Sequence, residues 1–382
     1  MSKKVIIIRN AYSHDYGGGE RFPVFLAETL THMGFNPVVV SRNNTLLNFA
    51  KEKSITTVRG WWWSQQRWNG WRIILFPLYA VWQVFLYCWY SQLFKKVRPS
   101  AVHIQSKDDF IAATYAAKRY NIAVVWTDHA DLKHVWRNIT TPIKNPVGKW
   151  VYRAAKKADA ITVVSGSELH EVTSHLPTDS PIRDKTTVVY NGCADVLSDY
   201  SQPHKDTGIA YIIASRLVTD KGIGEAIEAF KLLNKKYPEA RLVIAGDGPE
   251  REKFITQASD THTITFIGHQ ANPYNAIAKA DIFLQPTYHE GFSVVLVEAS
   301  MLGKPIIATA VGGNVEIIED KVTGLLVPAK DVESLYKAME TLYKDADLRG
   351  SIAQNARHQY EDRFTFDTIV KEGFLPLYEI TR

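Results

Sequence analysis

Residues 286–300 read PTYHEGFSVVLVEAS. Just before them, Asp281 to Gln285 (DIFLQ) is an apolar run of the length of a buried strand. Just after them, Gly303, Lys304 and Pro305 carry helix-stop chemistry. The unit is therefore strand, loop, helix. Glu290 falls in the loop at the strand's carboxyl end. Gly291, Phe292 and Ser293 follow, then Val294 to Val297, with Glu298 expected roughly two turns into the helix. A helix start offers unpaired N–H groups and the positive end of a dipole, which suit a phosphate. A carboxylate further along is suited to a sugar hydroxyl. Taken alone, the pair reads equally well as one surface Glu and a second solvated on the far face of a core helix.

The surrounding sequence repeats the rhythm. Ile209 to Ala214 is a strand leading to Ser215, Arg216, Leu217 and then Asp220, Lys221 and Gly222, with a helix from Ile223. Arg216 and Lys221 flank a loop at a strand end, where two cations can grip a diphosphate. ARLVIAGDGPE, from Ala240, is a strand with a glycine turn at Gly246. ITFIGH is another strand. PIIATAVGGN places Gly312 and Gly313 after a further strand, suited to close phosphate approach. Residues 331–343 and 349–360 have the spacing of surface helices. Asp345 and Asp347 form an Asp-x-Asp in a polar helical setting and read as surface charge, not a metal site.

The first half follows the same plan. Val5 to Ile8 is a buried strand, and a polar loop ends in Gly17, Gly18, Gly19, Glu20 and Arg21. Phe22 to Met33 is helical, Gly34 stops it, and Pro37 to Val40 is a second strand, which together open a parallel α/β sheet. The glycines let backbone approach a ligand, but the Gly-x-Gly-x-x-Gly spacing is absent. The second strand ends in Ser41 and Arg42, with no acid for a ribose, which argues against a dinucleotide site. Arg59, Trp61, Trp62, Trp63, Arg67, Trp68, Trp71 and Arg72 then interleave aromatic and basic residues. Ile73 to Phe94 carries no charge and is long enough to span a bilayer. Strands on either side of it belong to one sheet, however, so it is expected to be a crossover helix partly in the core. Its Trp/Arg-rich entrance reads as an interfacial anchor on an anionic membrane, or as an aromatic core patch or protein interface. VVWTDHADLKH ends a strand at Trp126 and is expected to expose Asp128, His129 and Asp131. Residues 144–157, with Lys149, Trp150 and Arg153, read as a basic amphipathic helix, a second candidate for the membrane face. Ile161 to Val164 is a further strand. Ser198 to Gly208 is polar and reads as the linker.

With 382 residues, 46% hydrophobic and 22% charged, the chain is globular and long enough for two domains. A net charge of +5 does not call for a nucleic acid partner. Two cysteines, Cys88 and Cys193, make no disulfide framework and fit a reducing compartment. Lys3 and Lys4 lead directly into the first strand, with no secretory leader expected.

Together, GGGER, RLVTDKG, AGDGP, HEGFSVVLVEAS and VGGN resemble the retaining glycosyltransferases of family four, over nearly the whole chain. The resemblance implies an α/β GT-B fold: two Rossmann-like domains facing across a cleft, with a C-terminal helix crossing back to the first. Residues 1–203 would form the acceptor-binding domain, with 366–382 returning to it through FTFDTIVKEGFLPLY. Residues 204–365 would form the nucleotide-sugar domain. The resemblance further implies that Arg216 and Lys221 neutralise the departing diphosphate. Glu298 would hold the ribose, and Glu290 the donor sugar's hydroxyls. Backbone N–H groups at Phe292, Ser293 and Val294 would meet phosphate, with Gly18, Gly19, Gly246 and Gly291 joining the donor site. His129, in TDHAD, matches the family's active-site histidine. No cofactor and no metal are expected, since the nucleotide-sugar, UDP favoured, is a substrate. The expected partners are that donor, a glycan or lipid-linked acceptor, and the cytoplasmic face of an anionic membrane. Transfer to a soluble acceptor such as a sugar phosphate, a nucleotide-sugar 2-epimerase of the same shape and a non-catalytic sugar-nucleotide binder are the alternatives.

Overall fold

A computed structural model of the chain describes residues 3–10, 18–61, 76–129, 132–136, 146–200 and 208–379. The chain divides into two compact units, Met1–Asn191 with Phe366–Arg382, and Gly192–Thr365. The passage from one to the other at 191 lies ahead of the polar stretch 198–208. Contacts within the second unit explain this. Cys193 bridges to Thr365, Arg357 pairs with Asp195, and Asn272 Nδ2 donates to the Tyr200 hydroxyl at 2.7 Å.

The first unit is built on seven strands: β1 (Lys4–Ile8), β2 (Asn36–Ser41), β3 (Thr56–Arg59), β4 (Ala101–Ile104), β5 (Ala123–Thr127), β6 (Ala160–Val163) and β7 (Thr186–Val188). All pair in parallel, in the order β3-β2-β1-β4-β5-β6-β7. Both faces are covered, so the central strands read as unbroken apolar runs. Alternation along β1 divides them. Ile6 and Ile8 join a core with Tyr90, Phe94 and Trp126, while Val5 and Ile7 join one with Phe22, Leu26 and Phe374. β3 is polar and half-exposed at the sheet edge, and it lacks the run that would announce it. The first helix spans Gly18–His32, starting before the expected Phe22 and taking Gly18 and Gly19 into its opening turn.

The helix Phe76–Val97 settles the bilayer question for its own segment. β1 pairs with β2, which precedes this helix, and with β4, which follows it. Tyr79, Gln83, Leu86, Tyr90 and Phe94 recur every three or four residues and bury one stripe against the sheet. No helix among the described residues is long and apolar enough to cross a membrane.

The C-terminal segment, Phe366 to Tyr378, returns to the first unit as short helical pieces with a π-helical turn over Ile369–Phe374. Phe366 packs on Phe22 and Phe25 at ring distances of 5.5 and 5.4 Å. Tyr378 is pinned by a buried hydrogen bond of 2.8 Å to His103 Nδ1, whose Nε2 lies 2.6 Å from Thr127 Oγ1.

The second unit holds β8 (Ala210–Ala214), β9 (Arg241–Ala245), β10 (Ile264–Gly268), β11 (Ile282–Gln285), β12 (Ile306–Thr309) and β13 (Leu325–Val327). These are again parallel, ordered β10-β9-β8-β11-β12-β13. Two helices, Val332–Lys344 and Ala346–Arg363, follow. Asp345 caps the second by accepting from Leu348 N at 2.8 Å, which gives the Asp-x-Asp a structural role at a helix start.

Candidate active site

In the second unit, successive connections run to opposite sides of β8. The chain steps outward to β9 and β10, then returns to β11 on the other flank. Loops leaving such a switch point open a crevice at the strands' carboxyl ends, the usual place for a ligand in an open α/β sheet. Three loops meet there, after β8, β11 and β12.

The loop after β11 is clamped from both sides. Tyr288 N donates to Asp220 O at 2.8 Å, and Thr287 Oγ1 to the same carbonyl at 3.1 Å. Gly222 adopts φ +67°, and a Cβ there would stand 1.9 Å from Pro286 O. From the β12 side, Gly313 N donates to Glu290 O at 3.1 Å. Gly312 adopts φ +47°, and a Cβ would fall 1.8 Å from that same oxygen. Gly312 and Gly313 thus approach the Glu290 backbone closely. The glycines hold the loop that carries the carboxylate.

Within this frame Lys221 Nζ and Glu290 Oε2 form an ion pair at 2.7 Å, each side chain about one-fifth exposed. Gln285, buried at the end of β11, directs Nε2 to Glu290 Oε2 at 3.4 Å and to Ser293 Oγ at 3.3 Å. Ser293 precedes the helix Val294–Met301 but makes no side-chain cap, so its hydroxyl leaves the helix start open. An uncapped N-terminus keeps N–H donors and positive potential available to an anion. Glu298 is the fifth residue of this helix, little more than one turn in rather than two, because the helix begins only at Val294. It is buried, and its Oε1 accepts from the Tyr274 hydroxyl at 3.0 Å.

Arg216 is exposed beside these groups in sequence and has no ion-pair partner among the described residues. Gly246 follows β9, donates to Gly268 O at 2.8 Å and lies against Ser215 O. Phe292 is buried and packs on Phe364 at 6.1 Å, while Gly291 faces open space. Gln285 and Tyr274 were not anticipated. Gln285, a polar residue closing a buried strand, was a signal in the sequence; Tyr274 had none.

In the first unit, the carboxyl ends of β1, β4 and β5 gather a second polar group. Arg9 Nη1 donates to Gln105 O at 2.6 Å. His129 follows β5, edge-on to Phe22 at 6.1 Å. Its Nε2 is shut off from solvent and has no hydrogen-bond partner among the described residues. Burial, with Arg9 and then His103 nearby, holds its pKa well below the ordinary histidine value, so the ring is neutral at pH 7. Asp128, expected to be exposed, is buried. Both of its carboxylate oxygens accept from Leu132 N at 3.1 Å, as a cap for the helix Leu132–Trp136. Asp131 lies outside the described residues.

Of the aromatic-basic face, Arg59 ends β3 and is exposed. Trp61 is exposed and meets Trp82 edge-on at 5.6 Å. Lys149 and Arg153 lie on the helix Pro146–Ala155. Trp62, Trp63, Arg67 and Trp68 lie outside the described residues. Among the described residues no three His, Cys, Asp or Glu side chains gather as a metal-ligand set.

Residues 199–359 match the family model of glycosyl transferases group 1, and residues 16–195 that of glycosyltransferase family 4. Over 169 residues the chain is 31% identical to the capsular polysaccharide biosynthesis glycosyltransferase CapM of Staphylococcus aureus, a stretch covering 43% of this chain and 44% of that relative. The chain spans under two thirds of the length of the first curated relatives it matches. Among solved structures, a glycosyltransferase of Rickettsia africae superposes with a TM-score of 0.78 at 19% identity, covering 100% of this chain and 99% of that one. Anabaena Alr3699/HepE, in complex with UDP and glucose, superposes with a TM-score of 0.74 at 19% identity, covering 99% of this chain and 100% of that one. The two parallel-sheet units share the fold of these GT-B proteins along their whole length. With both halves matched in order and the fold shared throughout, the chain belongs to the group 1 glycosyltransferases of family four.

Proposed function

We propose that the protein transfers a hexose or N-acetylhexosamine from a nucleoside-diphosphate sugar to a lipid-linked or cell-envelope glycan, with retention and without a metal. The observation that carries this reading is the meeting of Lys221 and Glu290 at 2.7 Å. They come from two loops flanking the switch point, beside an uncapped helix N-terminus. Charge grows on the diphosphate as the C1–O bond breaks. Arg216, Lys221 and the N–H groups at Phe292 to Val294 stabilise it there, the work a divalent cation does elsewhere. Glu298, steadied by Tyr274, holds the ribose hydroxyls, and Glu290 orients the sugar. Substitution on one face gives the α product, with the leaving phosphate accepting the acceptor's proton. The Staphylococcus relative's role in capsular polysaccharide supports an envelope glycan as acceptor, reached at the cytoplasmic face of a membrane. The Anabaena protein's bound UDP and glucose make UDP the first nucleotide to try.

Thermal unfolding with UDP, GDP, ADP, CMP and NAD tests the donor. A nucleotide at a hundred times its dissociation constant adds about 2.7 kcal/mol of stability. A shift with one nucleoside diphosphate names the base, and the anomer of the product formed with that base's sugar tests retention. If NAD alone stabilises the fold, the reading fails.

A further inference from the structure

We propose that the outward face of the helix Phe76–Val97 seats this protein in the interfacial layer of an anionic lipid bilayer. The helix has two stripes. One is buried against the sheet; on the other, Leu78, Val81, Val84 and Phe85 are each more than half exposed, and Cys88 continues the row. Spaced three or four residues apart, they form one ridge along the helix. They account for four of the ten large apolar side chains exposed on the described surface, and Trp61, a fifth, packs on Trp82 of the same helix. Beside the ridge runs an open groove of about 570 Å³, lined by Val84, Tyr87, Tyr115 and Trp150 among others. The apolar surface is therefore wider than a single row, as a surface that meets another phase should be.

Charge selects the occupant. The helix has no Asp or Glu and ends in the exposed Lys95 and Lys96, with Arg98 just beyond. From Lys53 to Lys107 the sequence contains no acidic residue at all. Trp150 brings the helix Pro146–Ala155 to the groove, and that helix carries Lys149 and Arg153 and again no acid. An apolar stripe flanked only by cations matches acyl chains beneath anionic headgroups. A second copy of the same face is a poorer match. A two-fold contact sets the face against itself and supplies no carboxylate to these cations. The helix does not qualify as a span, so the contact is one of lying on the surface.

Vesicle co-sedimentation of the full chain tests this, using equal parts phosphatidylglycerol and phosphatidylcholine against phosphatidylcholine alone. Binding should require the anionic lipid and weaken with salt. Val84→Asp with Phe85→Asp should lower partition about tenfold or more, since two apolar anchors are lost. Both positions are solvent-exposed, so the unfolding temperature and its nucleotide-induced shift should stay at wild-type values. An environment-sensitive probe on Cys88 should shift to the blue with the same vesicles; Cys193 is buried, and burial pushes its thiol pKa up, so labelling is selective. Absence of binding to anionic vesicles, or unchanged binding by the double variant, overturns the proposal. So does a wild-type dimer that the double variant converts to monomer while vesicles draw no protein. Partition is read without turnover, so its failure leaves the transfer reading standing.

Discussion

Gly312→Ala puts the clamped Glu290 loop to a quantitative test. The added Cβ would lie 1.8 Å from Glu290 O, roughly 1.5 Å inside van der Waals contact. Residue 312 would also have to hold a φ of +47°, which costs a side chain about 1–2 kcal/mol. Relieving the overlap adds about 1–3 kcal/mol. The sum, about 2–5 kcal/mol, lowers the melting temperature of a unit this size by roughly 5–15 °C. Relief also moves the Glu290 backbone by about an ångström, and a misplacement of that size costs turnover on the order of a hundredfold. The control is Gly291→Ala in the same loop. A Cβ there meets nothing within 4 Å, so stability should hold. Differential scanning calorimetry and initial rates of nucleotide-sugar consumption are the assays. Wild-type melting and turnover in Gly312→Ala would refute the claim that this glycine sets the position of Glu290.

Lys221→Ala leaves Glu290 partly buried without its counter-charge and removes the cation proposed to meet the diphosphate. Turnover should fall by about two to three orders of magnitude, with circular dichroism unchanged. Under the proposed function, Glu298→Gln should raise the donor KM about tenfold and spare kcat, because the proposed ribose contact is made equally in ground and transition states; a kcat loss with constant KM would contradict it. His103 is buried, and burial alone lowers its pKa from 6.5 to about 3. The unfolded chain therefore binds the proton first as pH falls. Stability rises with pH across this window and is lost from pH 6.5 downward toward 3, at about 1.4 kcal/mol per pH unit. Urea unfolding should show that limb, and His103→Gln should flatten it. His129, also lowered by burial, adds to the same slope.

The plan of the protein was legible because its signals are local. A strand covered on both faces must be apolar throughout, so VIII, AYIIA and IFLQ announce themselves in a few residues. Strand, loop and helix around residues 286–300 followed, and so did the crossover role of the long uncharged segment, since its flanking strands share a sheet. β3 escaped because an edge strand needs no apolar run. The start of the first helix was set four residues late because Gly18 and Gly19 carry no helical signal of their own.

Side-chain partnership was another matter. Lys221 and Glu290 are 69 residues apart, and only the placing of β8 next to β11 brings them to one edge. The same adjacency turns Gly312 toward the Glu290 carbonyl and sets Gln285 between the carboxylate and the helix start. Composition and periodicity determined that this chain folds as two parallel α/β units and where its candidate ligand loops lie, because burial imposes those patterns residue by residue. Which groups touch in those loops, and which stripe of the Phe76–Val97 helix is left to solvent, was decided by strand order and packing, which depend on distant parts of the chain.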